Sequence, residues 1–222
     1  MQKHILTGEL SLTEEVAEIL RIRIITGEYA MGEKLVENKI AAELKVSRTP
    51  VRDAFRQLVK EKLMEYTPNK GCFARGFTAE DIRDIYAVRE AVEQLAVEWA
   101  INKRTEESLA LLKEQIEVMG LYTAKKMNEK LFTANDAFNN TIYQMTESRF
   151  IVQALQTYQE YIQSVRRGIL AGEETLQEIF EEHFRIYEAI TAGDVERARE
   201  AVRKHLRKSA NRVVSRWREM KR

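Results

Sequence analysis

Hydrophobic positions recur with helical spacing along most of the chain. Ser11 and Glu14 form a capping-box pair, and apolar residues on one helix face follow up to Gly27: Leu12, Val16, Ile19, Leu20 and Ile24. Two shorter helices are predicted over about 37–44 and from Ser47 to about Lys60. Pro50 lies in the first turn of the third helix, where its missing N–H is tolerated, so Ser47 is the predicted N-cap.

The only β pattern in the sequence follows these helices. Two short runs, 63–66 and 72–75, flank the segment Thr67-Pro68-Asn69-Lys70-Gly71. Pro, Asn and Gly together are typical of a tight turn, so we predict a β-hairpin.

From Thr78 onward the pattern is helical. We predict six helices, over about 78–102, 105–119, 122–145, 148–170, 173–191 and 194–218. The predicted breaks lie at Gly120, near Glu147-Ser148, at Gly172 and at Gly193-Asp194. The fold class is therefore mainly α, with a small N-terminal domain over 1–77 and an all-α helical bundle over 78–222.

The amino-acid composition agrees with a helical protein and indicates the compartment in which we expect it. The chain has only 9 Gly and 2 Pro in 222 residues, too few for a barrel or sandwich with many hairpins. Its one Cys excludes an intramolecular disulfide framework. The sequence contains no signal-peptide pattern and no run of 18 apolar residues, so we expect a cytoplasmic protein without a membrane partner.

Charge is segregated along the chain although the net charge is only +1. Residues 1–78 carry +2, residues 79–196 carry −10 and residues 197–222 carry +9, while the segment 45–62 alone carries +4. The basic C-terminal run has three interpretations. It complements the acidic bundle, it interacts with the dipole of its own helix, or it adds nonspecific attraction to DNA.

Three short helices followed by a hairpin indicate a winged helix-turn-helix, whose third helix enters the major groove of DNA. Arg48 and Arg52 are four residues apart and share a face near the start of that helix. An Arg there can contact guanine O6 and N7 with both N–H arms, and Lys70 at the wing tip can contact a phosphate. The alternative is that the basic face of this helix is only exposed to solvent and does not bind DNA.

The same segment resembles a known family. The sequence carries Leu35, Glu37, Ile40, Ala41 and Leu44, then the run Val46-Ser47-Arg48-Thr49-Pro50-Val51-Arg52-Asp53-Ala54-Phe55, and later Leu58, Leu63 and Gly71. In these positions it is similar to the DNA-binding domain of the GntR family of bacterial transcription regulators. The resemblance implies that Arg48, Thr49, Arg52 and Gly71 contact double-stranded operator DNA. One departure is Asn38, where relatives often carry a basic residue.

Polar residues interrupt the apolar stripes of the predicted bundle. His183 lies in line with Ile179 and Ile186, and His205 in line with Val202. Each His is eleven positions from Asp194, so the two imidazoles reach a similar height on antiparallel helices. Asn135 and Asn139 lie one turn apart on a third helix, among Leu131, Phe132, Phe138 and Ile142. A single such His is more often a satisfied core residue, whereas this set favours an effector or metal pocket.

The late segment carries a second resemblance, in the residues Glu182, His183, Ile186, Ala189, Ile190, Gly193, Asp194, Ala198, Val202, His205 and Leu206. With six helices after the linker, the domain resembles the FCD-type effector domain of the FadR-like branch. The resemblance implies that an Asp and a His at i and i+4, together with two later His, hold a divalent metal such as zinc, nickel or manganese. Here Asn135 and Asn139 replace the Asp and the first His, which leaves His183 and His205 without an anionic co-ligand.

Two further positions suit a carboxylate ligand. Arg89 is a candidate clamp, because a planar guanidinium binds carboxylates through two N–H groups. An ion pair with Glu93 at i+4 is the equally weighted alternative. Arg166-Arg167 is a second candidate, with a solvated helix end as its alternative.

The sequence thus predicts a DNA-binding transcription regulator, by default a repressor. Its helical domain binds a small effector, expected to be a carboxylic acid, and forms a homodimer. The alternatives are a metal-dependent hydrolase and a helical protein-interaction adaptor. No HExxH, GxSxG, Walker A or GxGxxG motif is present, which argues against an enzyme.

Overall fold

The computed structural model describes residues 11–169 and 176–220. It is mainly helical with one small antiparallel sheet, as the sequence predicts. The described residues form two compact units that meet in sequence at Asp81–Ile82, and the last turns of the seventh and ninth helices group with the first unit. Within the described ranges, no helix is long and apolar enough to cross a membrane.

The first unit is a winged helix-turn-helix. Its elements, in chain order, are α1 Leu12–Thr26, β1 Lys34–Leu35, α2 Glu37–Leu44, α3 Arg48–Lys60, β2 Met64–Thr67 and β3 Gly71–Ala74. The strands form a sheet in the order β1-β3-β2, with both pairs antiparallel. The hairpin prediction is confirmed, but β1 was not predicted. Its two residues are too short to show the alternation that identifies a strand, and only their pairing with Phe73 and Cys72 makes them one.

Local signals place the first three helices. Ser11 forms the predicted capping box with Glu14, and Gly27 ends α1 in the left-handed conformation. Lys45 ends α2 with φ 56°. Ser47 stands at the N-cap of α3 as predicted, but its side chain makes no hydrogen bond there.

Apart from the first residues of α4 and the last turns of α7 and α9, the second unit contains the six predicted helices: α4 Ala79–Asn102, α5 Glu106–Ala124, α6 Asn128–Met145, α7 Arg149–Ile169, α8 Leu176–Ala192 and α9 Val195–Met220. Thr78 and Thr105 cap α4 and α5. Gly193 ends α8 with φ 73°, and the Asp194 carboxylate accepts a hydrogen bond from the Arg197 N–H at 3.0 Å. The predicted break at this Gly-Asp pair is therefore confirmed.

The predicted break at Gly120 is wrong. The helix α5 continues through Gly120 to Ala124, and the chain turns at Lys126, which has φ 53°. Gly120 serves packing instead, because a Cβ there would lie 3.3 Å from the ring of Phe180 on α8. The predicted break at Gly172 lies outside the described residues.

Candidate nucleic-acid interface and buried polar site

The helix α3 has a buried apolar face and an exposed polar face. Pro50, Val51, Ala54, Phe55 and Leu58 are buried against the rest of the first unit. The opposite face exposes Arg48, Thr49 and Arg52. Arg48 Nη2 lies 3.7 Å from Glu37 Oε2 at the start of α2, and Arg52 has no ion pair with any described residue. The face is therefore open to an anionic partner.

The wing presents Lys70 at its tip. The Lys70 N–H donates to the Thr67 carbonyl at 3.0 Å, which closes a four-residue turn with Asn69 at φ 63°. Gly71 follows with φ 105°, and a Cβ there would lie 3.2 Å from Lys34 Cε. Glycine is thus required by the wing itself, and Lys70 is exposed to solvent.

A partly buried ion pair holds the far end of α3. The Arg21 guanidinium on α1 donates to both carboxylate oxygens of Glu61, Nε to Oε2 at 2.9 Å and Nη2 to Oε1 at 2.7 Å. Arg21 also pairs with Glu18, and these carboxylates raise the pKa of Arg21 although burial opposes it. Bidentate pairing restricts orientation as well as distance, so α3 is held firmly against α1.

In the second unit the two histidines meet. The rings of His183 on α8 and His205 on α9 have centroids 4.4 Å apart, and both side chains are buried. His183 Nδ1 lies 2.7 Å from the Ile179 carbonyl oxygen, which can only accept, so Nδ1 carries the proton. His205 Nδ1 lies 2.9 Å from Glu182 Oε2. Burial lowers the pKa of His205 although Glu182 opposes the shift, so the ring is neutral near pH 7.

Glu182 anchors this arrangement. Its carboxylate accepts from His205 and from both Nη groups of Arg212, at 3.0 and 2.8 Å, and Lys208 Nζ lies 3.5 Å away. Burial would raise the pKa of Glu182, but these donors hold it well below its ordinary value. The carboxylate is therefore ionised and fixes the tautomer of His205, leaving the lone pair on Nε2.

Both asparagines lie on α6 in the same unit. Asn135 and Asn139 are buried, and Asn139 Nδ2 donates weakly to Asn135 Oδ1 at 3.4 Å. Between them Phe138 packs edge-on against the His183 ring, with centroids 5.4 Å apart. The same face of α6 therefore borders the histidine pair.

The two histidines are suited to bind a divalent metal ion, but the two asparagines beside them are not. Two imidazoles whose Nδ1 atoms are engaged by a carbonyl and a carboxylate match the usual surroundings of metal-binding His. The remaining candidates are amide oxygens, which bind zinc-like ions poorly and bring no charge. Among the described residues, no group of three His, Cys, Asp or Glu is placed to hold a metal. The set therefore does not fit a tightly bound resident ion.

Arg89 forms an ion pair with Glu93, which the sequence analysis gave as the alternative to binding a carboxylate ligand. Its Nε donates to Glu93 Oε1 at 2.8 Å, and the Tyr143 hydroxyl donates to the same oxygen at 3.0 Å. All three side chains are buried. Burial and the Glu93 charge raise the pKa of Tyr143 well above its ordinary value, so the phenol stays protonated. The side chains of Arg166 and Arg167 lie outside the described residues.

Sequence reasoning gave no role in the site to Glu182, Arg212 or Tyr143. Glu182 precedes His183, so on helical geometry it projects about 100° away from the histidine stripe. Its role depends on α9, whose Arg212 and His205 reach it across the interface. The i, i+4 and capping rules that identify local pairs give no signal for such contacts.

The basic residues of α9 pair mostly with acidic residues of the bundle. Arg199 contacts Glu98 and Arg207 contacts Glu90, both on α4, while Arg197 contacts Glu188 on α8. These pairs match the first interpretation of the C-terminal charge, complementarity to the acidic bundle. They are largely exposed and individually weak.

Two family models match the chain. Residues 12–74 match the gntR family of bacterial regulatory proteins, and residues 84–208 match the FCD domain. The chain is 29% identical over 188 residues to the HTH-type transcriptional regulator YdhC of Bacillus subtilis, covering 84% of each protein. It is 30% identical to the gluconate operon transcriptional repressor of Bacillus licheniformis, covering 77% of this chain and 69% of that protein.

A solved structure, a transcriptional regulator GntR from Rhodococcus sp. RHA1, shares 27% identity with a TM-score of 0.64, over 93% of this chain and 99% of that one. The relatives found are transcription regulators and not enzymes, which excludes the hydrolase alternative. The chain belongs to the GntR family of bacterial transcriptional regulators and carries a C-terminal FCD domain.

Proposed function

We propose that this regulator is a repressor that binds operator DNA as a homodimer and is controlled by a small carboxylic acid bound in the helical unit. The observation that carries the DNA-binding part is the exposed cationic face of α3, where Arg52 has no described ion-pair partner. Repression is supported by the gluconate operon repressor of Bacillus licheniformis among the relatives. A regulator of bacterial operons acts in the cytoplasm, where the DNA is.

On DNA, the exposed face of α3 enters the major groove. Arg52 takes the two acceptors of a guanine, Thr49 contacts a base edge or methyl group, and Arg48 reaches base or backbone next to it. Lys70 contacts a phosphate beside the groove, and Gly71 lets the wing backbone approach closely. Base contacts give specificity and phosphate contacts give most of the salt-dependent affinity.

In the helical unit, the effector site is formed by His183, His205, Asn135, Asn139 and Arg89. The Nε2 lone pair of the neutral His205 accepts a hydrogen bond from a hydroxyl group. The asparagine amides donate to a carboxylate, and Arg89 exchanges Glu93 for the carboxylate of the effector. These buried polar groups lie on α4, α6, α8 and α9, so a ligand there changes how the helices pack.

A divalent cation enters this site only together with the effector. The two imidazoles supply nitrogen ligands, and an anionic effector supplies the oxygen that the asparagines do not. The protein as purified is then metal-poor, and a cation strengthens effector binding without being required for folding.

The test is a thermal-shift screen of small organic acids on the full chain, with and without Zn²⁺, Ni²⁺ or Mn²⁺. An acid at about 100 times its dissociation constant adds about 2.7 kcal/mol to the free energy of unfolding. It should also release the protein from DNA upstream of its own gene in a gel-shift assay.

The matched variants lie on one helix. Asn139→Leu should abolish the shift, whereas Asn140→Leu, the same change on another face of α6, should preserve it. A shift that survives Asn139→Leu would place the effector elsewhere. Absence of DNA binding by the unliganded protein would refute the proposal that it is a repressor released by its effector.

A further inference from the structure

The short strand β1 attaches a second lysine to the wing. Its two residues pair with β3, Lys34 with Phe73 and Leu35 with Cys72. Leu35 is buried, whereas Lys34 is exposed. Because successive side chains of a strand point to opposite faces, the burial of Leu35 fixes Lys34 on the outer face of the sheet, away from the core of the first unit.

The side chain of Lys34 runs along this outer face toward the wing tip. A Cβ on Gly71 would lie 3.2 Å from Lys34 Cε and 3.8 Å from Lys34 Nζ. On β3, Gly71 lies closer to the tip than Phe73, the pairing partner of Lys34, and it directly follows Lys70. The stem of Lys34 therefore passes over the glycine backbone, and its ammonium group lies beside the turn that presents Lys70.

The two ammonium groups at the wing tip are not neutralised within the part of the chain that the structure describes. Neither Lys34 nor Lys70 has an ion-pair partner there, and both are exposed. Glu65 shares the outer face with Lys34 but lies on β2, on the far side of Phe73. Like charges on one small turn repel each other, so the arrangement favours an anion with several charges that approaches the tip from solvent.

The backbone of duplex DNA is such an anion. Each strand carries one phosphate for about every 3.4 Å of helix axis, so neighbouring phosphates lie within reach of a single hairpin tip. A lysine is a point charge on a flexible stem and binds phosphates without the fixed geometry of an arginine. A tip placed against the backbone can therefore hold one phosphate with Lys70 and a neighbouring one with Lys34.

We infer that Lys34 is a second phosphate contact of the wing, made from the outer face of β1. The inference rests on the proposed DNA binding and extends its interface beyond α3 and Lys70. The strand β1 then has a function as well as a place in the sheet, because buried Leu35 anchors the strand from which Lys34 reaches the tip. The contact strengthens binding to every sequence alike, since phosphates carry no sequence information.

The experiment is titration of two DNA duplexes of equal length and unrelated sequence with the full-length protein at several salt concentrations. Lys34→Met keeps the unbranched stem and removes the charge. For each wing on the DNA, the slope of log affinity against log salt should become shallower by about 0.9 on both duplexes, so the loss relative to the parent grows about eightfold for each tenfold dilution of salt. Lys34→Arg keeps the charge and should keep the parent slope. Lys60→Met is the matched control, since Lys60 is also exposed but lies at the opposite end of α3 from Arg48, and it too should keep the parent slope.

A double variant tests whether the two lysines contact different phosphates. Lys34→Met combined with Lys70→Met should reduce the slope about twice as far as either change alone. A parent slope in Lys34→Met, an equal reduction in Lys60→Met or Lys34→Arg, or a double variant that matches Lys70→Met alone would overturn the contact while leaving DNA binding intact. A parent protein that binds neither duplex at any salt concentration would overturn the proposed DNA binding as well.

Discussion

Replacement of Glu182 by Gln tests whether the buried network around Glu182 stabilises the helical unit. The substitution keeps the shape of the side chain but removes the charge that accepts from His205 and twice from Arg212. Hydrogen bonds to charged groups contribute about 1.5–3 kcal/mol each. Arg212 is 19% exposed and recovers part of its loss by turning to water, and the amide oxygen retains one acceptor.

We therefore expect Glu182→Gln to lower the free energy of unfolding by about 2–4 kcal/mol at pH 7. For a chain of this size that corresponds to a fall in Tm of roughly 4–16 °C. Glu181→Gln is the control, because Glu181 is exposed and its contact with Arg185 is a surface pair worth at most about 1 kcal/mol.

The pH dependence of the free energy of unfolding is an independent test of the contribution of Glu182. The pKa of Glu182 is lowered in the folded state from an ordinary value near 4.5. Its contribution to stability is therefore fully present above pH 4.5 and is lost progressively as the pH falls, because the unfolded chain takes up a proton that the folded chain does not. The difference between the parent protein and Glu182→Gln should shrink in the same range. Chemical denaturation at several pH values measures this difference in the free energy of unfolding. A loss in Glu182→Gln no larger than that in Glu181→Gln would refute the stabilising role of the network.

The remaining predictions concern the metal, the α8–α9 turn and the wing. Asn135→Asp with Asn139→His should create, beside His183 and His205, a tight zinc or nickel site that the parent protein lacks, and stoichiometric metal in the dialysed parent protein by elemental analysis would contradict this. Gly193→Ala should lower the free energy of unfolding by about 1–2 kcal/mol, since φ is 73° there, and an unchanged denaturation midpoint would count against that strain. Lys70→Ala should weaken binding to all DNA sequences alike and reduce the salt slope by about one, as titrations at several salt concentrations would show.

Local chemistry made much of the fold predictable. Ser11, Gly27 and the Gly193-Asp194 pair end or begin helices where capping rules place them. The Pro-Asn-Gly turn identifies the wing hairpin in the same way. These signals lie within a few residues of the feature that they determine, so one sequence is enough to interpret them.

Tertiary contacts decided the positions where prediction failed. Gly120 is a helix-packing residue because the Phe180 ring lies against it, and nothing within α5 reveals that. The strand β1 exists only through its pairing with β3. The equal spacing of the two histidines from Asp194 predicted that their rings lie close together, as they do. It gave no sign of the contact between Glu182 and Arg212, which forms only when α8 and α9 pack against each other.

Sequence selection from a random duplex DNA library tests the central claim, that the exposed face of α3 reads an operator. The full-length protein should enrich an inverted repeat. Arg52→Ala should lose preference at one base pair of each half-site, at a cost of about 1–3 kcal/mol against the selected sequence, while still binding DNA. No enrichment by the parent protein, or an identical selected sequence and affinity for Arg52→Ala, would contradict the account.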